Sequence, residues 1–240
     1  MSRPVFHTDP LPAAGAFVLA GPEGRHAATV LRLRPGEEVE LTDGAGGCAR
    51  ATVRGAGGGW LDLEVAAVHR EPVPVPWLVL VQALAKGDRG ELAVELATEV
   101  GVDEIVPWRA RHCVARWEGA RGAKALTRWR STAAAAAKQS RRHRWPVVAE
   151  PASTADVKRR LATAAMPVVL HESAGTPLTS APVPAAGEVV IVVGPEGGLA
   201  ADELADFGGN AYRLGPGVLR TSTAGAVAAT ILLAGTARWS

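Results

Sequence analysis

Three segments in the second half of the chain combine glycine, proline and polar residues, and each follows an apolar run typical of a strand. They are residues 170–175 (LHESAG), 194–198 (GPEGG) and 214–225 (LGPGVLRTSTAG). Ligands of open parallel sheets bind beyond the carboxyl ends of the strands. Because glycine leaves main-chain N–H and C=O groups uncovered, these segments predict a pocket in which backbone atoms contact a ligand.

The segment GPEGG matches neither of the common phosphate-binding loops. A P-loop requires a lysine directly after its last glycine, whereas Gly198 is followed by Leu199, and the dinucleotide fingerprint has a different glycine spacing. Glu196 would repel a phosphate and suits a cation, a ribose hydroxyl or the start of a helix. Considered alone, the segment favours a turn that leads into a helix.

Basic residues are concentrated in one part of the chain. The formal net charge is only +2, yet residues 109–145 hold nine arginines and two lysines against one acid, Glu118. Such a block predicts a surface for a polyanion, although a solvated helix face has the same composition. Four tryptophans in or beside the block would either stack on bases or belong to the core: Trp108, Trp117, Trp129 and Trp145.

Length and composition are those of a folded cytoplasmic protein. The chain has 240 residues, of which 48% are hydrophobic and 21% charged, enough for one large core or two smaller ones. No apolar run is long enough for a membrane span, and MSRPVFHTDP lacks the apolar core of a signal peptide. Cys48 and Cys113 have no CxxC or other ligand spacing, so we expect neither a disulfide framework nor a metal site.

The first 71 residues alternate as strands do and include one helix. The runs EEVELTDG, CARATVR and GWLDLEVAAV predict strands, and GPEGRHAATVLRLRPG predicts a short helix that begins near Gly24 and ends at Pro35-Gly36. These patterns predict a small β-barrel or sandwich over residues 1–71. Alternating prolines cannot continue a ladder, so we expect a linker at residues 72–76 and a second domain over residues 77–240.

The second domain alternates strands and helices. Strands are predicted for WLVLVQAL, VDEIVPW, MPVVLHE, EVVIVVGPE and NAYRLG, and helices for GDRGELAVELATEVG, ARGAKALTRWRSTAAAAAKQS and residues 223–238. The long middle helix has an apolar side formed by Leu126, Trp129, Ala133 and Ala137. The alternation predicts an α/β fold with a mostly parallel sheet.

Taken together, the motifs resemble a known family. GRHAATVLRLRPGEEVELTDG, KGDRGELAVELATEVGVDEIVP, KQSRR, VVLHE, IVVGPEGGL and VLRTSTA occur in this order. The succession resembles the RsmE family of ribosomal RNA methyltransferases, members of the SPOUT superfamily, over essentially the whole chain. GPEGG and VLRTSTA at this separation carry most of the resemblance.

The resemblance implies an N-terminal PUA-like β-barrel that binds RNA and a C-terminal SPOUT methyltransferase domain with a deep trefoil knot. The knot loops would hold S-adenosylmethionine, mainly through backbone groups. The implied cofactor-binding residues are Leu170, His171, Glu172, Gly194, Pro195, Glu196, Gly197, Gly198, Leu214, Gly215, Val218, Leu219, Arg220 and Thr221. The family acts as a homodimer, without a membrane or a metal, and methylates N3 of a uridine in the 16S rRNA of the small ribosomal subunit.

Methylation of uridine N3 requires stabilisation of negative charge on the base and an acceptor for the N3 proton. Arg220 is the first candidate for charge stabilisation, with capping of the last helix as the alternative. Arg142 is the second, with a phosphate contact as its alternative. Glu196 would accept the proton or bind the ribose, unless it serves only the architecture of its loop. For His171, backbone contact to the cofactor is favoured over proton transfer.

RNA contacts are expected from basic residues of the barrel and from the basic block. The expected set is Arg3, His26, Arg32, Arg34, Arg141, Arg142 and Arg144. N3 lies on the pairing edge of the base, so the target uridine is expected to be flipped or single-stranded.

The chain departs from the usual family pattern at four positions. Lys138 stands where glutamate is usual, Arg141 where glycine is frequent, Gly217 where a basic residue is common, and Ser222 where glutamate is common. The missing basic residue at position 217 would remove one contact, for which the neighbouring RRHR would compensate.

Two other functions are compatible with these motifs. One is a methyltransferase of the same fold that acts on tRNA or on a ribose 2′-hydroxyl, although ribose methylation tends to accompany an Asn-Arg-Gly type loop that the sequence lacks. The other is a non-catalytic RNA-binding assembly factor, which would not bind S-adenosylmethionine.

Overall fold

The computed structural model describes residues 3–239, and the chain forms two compact units. The first extends to Val73 and also includes Ala137–Trp145; the second comprises Pro74–Ala136 and continues from Pro146. The boundary between the two units, after Val73, lies inside the predicted linker. The sequence predicts one second domain over residues 77–240, whereas Ala137–Trp145 belongs to the first unit. Residues 1, 2 and 240 of the predicted domains lie outside the described residues.

The first unit is a five-stranded sheet with a short helical insert. Its elements are β1 (Val5–His7), β2 (Gly15–Leu19), α1 (Gly21–Arg25), a π-helical turn (His26–Val30), β3 (Glu38–Thr42), β4 (Gly47–Gly57) and β5 (Trp60–Arg70). The strand order is β1-β3-β4-β5-β2, with β1 parallel to β3 and the other pairs antiparallel. The predicted strands are β3, β4 and β5, and the predicted helix is α1 with the π-helical turn. With three and five residues, β1 and β2 are too short to show a clear period.

Alternation along the strands builds the core of this unit, because successive side chains of a strand point to opposite faces. Its largest fully buried side chains are Phe6, Leu41, Leu61 and Leu63. Gly24 allows α1 to pack closely, since a Cβ atom there would lie 2.3 Å from the carbonyl oxygen of Leu19.

The segment Ala137–Trp145 belongs to the first unit because it pairs with the β3–β4 turn. The N–H of Trp145 donates to the carbonyl of Gly44, and the N–H of Gly46 donates to the carbonyl of His143, both at 2.9 Å. Lys138 Nζ lies 2.7 Å from Glu23 Oε1. The lysine at a position where glutamate is usual is therefore matched by an acid on α1.

The second unit is built on a seven-stranded sheet. Its strands are β6 (Trp77–Ala83), β7 (Glu104–Trp108), β8 (Val147–Val148), β9 (Met166–Leu170), β10 (Thr176–Pro177), β11 (Glu188–Val193) and β12 (Ala211–Arg213). Their order is β10-β12-β9-β11-β6-β7-β8, and every pair is parallel. The structure thus confirms the predicted α/β class and parallel sheet. β8 and β10 have two residues each and left no pattern in the sequence.

Helices connect these strands, and the central strands are buried. The helices are α2 (Arg89–Glu99), α3 (Gly119–Gln139), α4 (Thr154–Thr163), a 3₁₀ turn (Leu178–Ser180), α5 (Ala201–Asp206) and α6 (Thr221–Ala234). Trp108 and Trp129 are buried, in two different apolar clusters. Both therefore belong to the core rather than to a base-stacking surface. Among the helices of residues 3–239, none is long and apolar enough to cross a membrane.

Candidate functional site

A cavity of about 360 Å³ lies in the second unit, where the loops after β9, β11 and β12 meet the start of α6. Its volume falls within the range of small-molecule sites. The lining includes all predicted cofactor-binding residues except Gly197: Leu170, His171, Glu172, Gly194, Pro195, Glu196, Gly198, Leu214, Gly215, Val218, Leu219, Arg220 and Thr221. Residues chosen from three separate sequence segments are thus brought to one place.

The GPEGG segment forms a tight turn. The N–H of Gly198 donates to the carbonyl of Pro195 at 2.9 Å, and Gly198 has a φ of 74°, which glycine adopts readily. A Cβ atom on Gly197 would lie 3.2 Å from Cβ of His112. Gly197 therefore packs against His112, and it is not among the residues that line the cavity. Both glycines therefore have a structural role within the protein, as expected for the turn that this segment favours when it is considered alone.

The remaining glycines of the cavity differ in what surrounds them. A Cβ atom on Gly194 would lie 2.9 Å from the side chain of Leu199, so this glycine also serves local packing. Nothing lies within 4 Å of the Cβ position of Gly198, Gly215 or Gly217. The expected approach of a ligand to uncovered backbone is therefore possible at the end of GPEGG and in the loop after β12. The open space at Gly217 would also admit the basic side chain that is common there, whereas Ser222, the other departure in this loop, is buried.

Thr221 connects the ends of two neighbouring strands beside the cavity. Its hydroxyl donates to the carbonyl of Gly194 at 2.9 Å and accepts from the side-chain amide of Gln82 at 3.0 Å. Gln82 is fully buried on β6, and Gly194 directly follows β11. These two bonds fix the start of α6 against both strands.

We predict that Thr221→Val lowers the free energy of unfolding by about 1–3 kcal/mol, because the buried amide of Gln82 loses the nearer of its two acceptors and keeps only the carbonyl of Ala83 at 3.3 Å. Thr221→Ser keeps the hydroxyl and should be much less affected. Thr223→Val is the matched control, since the Thr223 hydroxyl bonds only locally, to the carbonyl of Arg220. Urea unfolding curves measure all three. Equal losses for Thr221→Val and Thr223→Val would contradict the prediction.

Glu203, on α5, is the carboxylate that stabilises the segment after GPEGG through hydrogen bonds. It is buried and accepts hydrogen bonds from the N–H of Arg111 at 2.9 Å, the Thr154 hydroxyl at 3.0 Å and the N–H of Ala200 at 3.2 Å. The helix-start role that the sequence allowed for Glu196 is therefore filled by Glu203. Glu196 lines the cavity instead.

Three arginines and two glutamates line the cavity, and they differ in their partners. Arg89 Nη1 lies 3.4 Å from Glu196 Oε1, and Arg213 donates to the carbonyls of residues 174 and 175 at 3.3 and 3.1 Å. The side chains of Arg220 and Glu172 form no ion pair or hydrogen bond with residues 3–239. Arg220 is therefore the lining arginine whose guanidinium is available to a ligand.

The position of Arg220 helps to distinguish its two predicted roles, charge stabilisation and capping of the last helix. Arg220 is the N-cap residue of α6, but its side chain makes no capping hydrogen bond. A cation at a helix N-terminus opposes the helix dipole, and a guanidinium cannot accept from the free N–H groups there. The side chain therefore does not stabilise the helix as a cap.

His171 has local partners for its ring and its backbone. Its Nδ1 lies 2.8 Å from the hydroxyl of Ser173, and its N–H donates to the carbonyl of Tyr212 at 3.0 Å. Its carbonyl accepts from the N–H of Ala174 at 3.2 Å, so a backbone contact of His171 with a ligand would use the second lone pair of that oxygen.

The predicted RNA-binding residues all lie in the first unit, and none of them lines the cavity. His26, Arg32, Arg34 and Arg141 are exposed. The others are partly buried: Arg3, which pairs with Glu38 at 2.6 Å; Arg144, which donates to the carbonyl of Glu71 at 3.1 Å; and Arg142. Arg142, the second candidate for charge stabilisation, is thus not among the residues that the structure brings to the cavity.

Sequence reasoning missed several lining residues, of which Arg89 and Arg213 carry charge. Arg89 begins α2, just after β6, the strand beside β11. The apolar run WLVLVQAL followed by KGDRG was a fourth strand end at the same edge of the sheet and could have indicated this arginine. Arg213 lies at the end of β12, one residue before the predicted segment.

Comparison with known proteins identifies the family. A model described as an RNA methyltransferase domain matches residues 71–233, and one described as an RNA methyltransferase PUA domain matches residues 19–65. A ribosomal RNA small subunit methyltransferase E of Mycobacterium bovis is 48% identical over 243 residues, which cover 98% of this chain and 93% of the relative.

Several similar proteins have solved structures, among them two that contain S-adenosylmethionine. The ribosomal RNA small subunit methyltransferase E of Neisseria gonorrhoeae, bound to S-adenosylmethionine, is 26% identical with a TM-score of 0.82 over 97% of this chain and 98% of that one. A Legionella pneumophila methyltransferase with bound S-adenosylmethionine is 25% identical with a TM-score of 0.84 over 98% and 99%. The chain therefore belongs to the ribosomal RNA small subunit methyltransferase E family.

Proposed function

We propose that this chain transfers the methyl group of S-adenosylmethionine to N3 of a uridine in the 16S rRNA of the small ribosomal subunit. The observation that carries the proposal is the convergence of the three motif loops on one cavity, lined by nearly all residues that the family resemblance assigns to the cofactor. Two similar structures hold S-adenosylmethionine, and the curated relative is named for small-subunit rRNA. Such a substrate would place the chain in the cytoplasm.

In the proposed reaction, uridine N3 attacks the methyl carbon as the carbon–sulfur bond breaks, and the sulfonium leaves as a neutral thioether. The protein's contribution is to orient donor and acceptor and to exclude water. Arg220 would stabilise negative charge on the base, because its guanidinium has no partner among residues 3–239. Glu196 would take the N3 proton, since its carboxylate lines the cavity and its 3.4 Å pair with Arg89 is long.

The first unit would bind the RNA. Four of the predicted residues are exposed, and two of them, Arg32 and Arg141, have left-handed backbone conformations with φ of 55° and 59°. This conformation costs most residues about 1–2 kcal/mol relative to glycine, which explains why glycine is frequent at position 141. Because position 141 has an arginine despite this strain, its positive charge is expected to have a role in binding.

Arg141→Gly should weaken RNA binding without destabilising the fold, because glycine relieves the left-handed strain while one positive charge is lost. Removing one phosphate contact should reduce the slope of log affinity against log salt by about 0.7–0.9. Fluorescence anisotropy with a 16S rRNA fragment at several salt concentrations measures both quantities. Arg141→Lys is the control and should retain affinity. An unchanged affinity and slope for Arg141→Gly would remove Arg141 from the RNA surface.

We also propose that the first unit closes as a PUA-like β-barrel and that the second contains a trefoil knot. The chain must return from β12, beyond β9, to reach α6, which packs against β11, β6 and α2. This return across β9 supports a threaded C-terminus. An experimental electron-density map tracing α6 outside those loops would contradict it.

The proposed homodimer is supported by apolar side chains that the second unit leaves exposed, among them Leu92, Val218 and Val227. Light scattering after gel filtration should give twice the chain mass of 24.8 kDa.

The decisive experiment compares rRNA nucleosides from a strain that lacks this protein with those of its parent by mass spectrometry. We expect N3-methyluridine to be absent from the strain that lacks this protein and to reappear when the wild-type chain is expressed. Loss of a ribose-methylated nucleoside or of a tRNA modification would favour the related methyltransferases instead. The remaining alternative is an RNA-binding assembly factor without enzymatic activity. Calorimetry with S-adenosylmethionine distinguishes it from a methyltransferase, because the assembly factor would not bind the cofactor.

A further inference from the structure

A group of metal-binding side chains lies in the first unit. Glu40 on β3, Cys48 on β4 and His143 each offer one ligand atom, and these atoms lie within 4.8 Å of one another. Cys48 is fully buried, and the side chains of Glu40 and His143 are only 14% and 13% exposed. We propose that these three residues bind one Zn²⁺ ion.

The chemistry of the group suits zinc. Thiolate, imidazole and carboxylate are the ligand types that zinc takes in proteins, usually four in a tetrahedron. Water could supply the fourth ligand. The ring of His69 lies near the group, with its centre 6.3 Å from that of His143.

The surroundings of His143 match those of a metal-bound histidine. Its Nε2 faces Glu40 Oε2 at 3.0 Å, and its Nδ1 faces Glu71 Oε1 at 2.8 Å. Metal-bound histidines usually donate the other ring N–H to a carboxylate, which fixes the tautomer and the ring orientation. Glu71 would act in this way and leave Nε2 for zinc.

The charged groups around the site include two arginines as well as the carboxylates of Glu40 and Glu71. Arg3 and Arg50 lie 3.9 and 3.7 Å from Oε1 of Glu40, so Oε2 is the oxygen turned toward His143. Burial, helped by the charges of Glu40 and Glu71, raises the pKa of the Cys48 thiol to about 11. Zinc binding must therefore displace the thiol proton, because the thiolate is the ligand.

The geometry has one competing explanation without a metal, in which the His143 ring only forms hydrogen bonds with Glu40 and Glu71. A zinc ion would tie β3 and β4 to the segment Ala137–Trp145, which carries three of the predicted RNA-binding arginines. The ligands come from three separate parts of the chain, which explains why no metal-binding spacing was found in the sequence.

The test uses the full chain without a histidine tag, stripped of metal with a chelator and titrated with zinc chloride by calorimetry. One zinc per chain is expected, with proton release detected by comparing buffers of different ionisation enthalpy. Cys48→Ser should abolish binding, Glu71→Gln should weaken it by roughly 10- to 100-fold, and Cys113→Ser should leave it unchanged. Cobalt(II) should give a thiolate-to-cobalt charge-transfer band in the wild type and in Cys113→Ser.

Three outcomes would overturn the proposal: no stoichiometric zinc binding by the wild-type chain, equal binding by Cys48→Ser and Cys113→Ser, or cobalt binding without a thiolate band. The cobalt spectrum needs only the wild type, so a Cys48→Ser chain that fails to fold does not prevent a decision. None of these measurements depends on methyltransferase activity.

Discussion

Replacement of Arg220 by methionine is expected to lower kcat for methyl transfer by roughly 10²- to 10³-fold, the loss typical of removing one group that stabilises developing charge. The affinity for S-adenosylmethionine should change little, because the cofactor is expected to contact mainly backbone groups. Arg220 is the cavity-lining arginine without a side-chain partner among residues 3–239. Single-turnover kinetics with an rRNA substrate, together with calorimetry for the cofactor, measures the two quantities separately.

Two controls separate charge stabilisation from a structural role. Arg220→Lys keeps the positive charge and should recover part of the rate. Arg159→Met removes an exposed arginine of α4 that pairs with Asp156 on its own helix and should leave the rate unchanged. If Arg220→Met instead lowers cofactor affinity and the free energy of unfolding by as much as it lowers kcat, Arg220 is structural and another group stabilises the base.

Local patterns were sufficient to predict the α/β class and the place of the cavity. Alternation marks β3, β4 and β5, and a continuous apolar run marks β6, because each pattern follows from the faces that a strand buries. The rule that parallel sheets bind ligands at the carboxyl ends of their strands then led to the loops that line the cavity.

What the sequence did not reveal depends on residues that are distant along the chain. Gln82 and Thr221 are 139 positions apart, and Lys138 and Glu23 are 115 apart, yet each pair forms a direct hydrogen bond. No periodicity links such positions, because their proximity follows from how whole elements pack. For the same reason, neither the place of Ala137–Trp145 in the first unit nor that of Arg89 at the cavity follows from local patterns.

A buried ion pair stabilises the position of the segment that follows α6. The guanidinium of Arg238 donates to both carboxylate oxygens of Asp103, at 2.6 and 3.0 Å, and also to the carbonyls of Pro76 and Gly101. The Asp103 side chain is completely buried, and its Oδ2 also accepts from the N–H of Leu78 at 2.9 Å. The end of the chain is thereby attached to the starts of β6 and β7.

Arg238→Met should lower the free energy of unfolding by about 3–5 kcal/mol, because it leaves the Asp103 carboxylate buried without its cation. Urea denaturation measures the loss. Adding Asp103→Asn to Arg238→Met should restore part of the stability, since a neutral amide needs no counter-charge. Arg159→Met breaks an exposed pair and should cost less than about 1 kcal/mol. A similarly small loss for Arg238→Met would mean that the other partners of the carboxylate are sufficient, and that this pair does not hold the C-terminal segment in place.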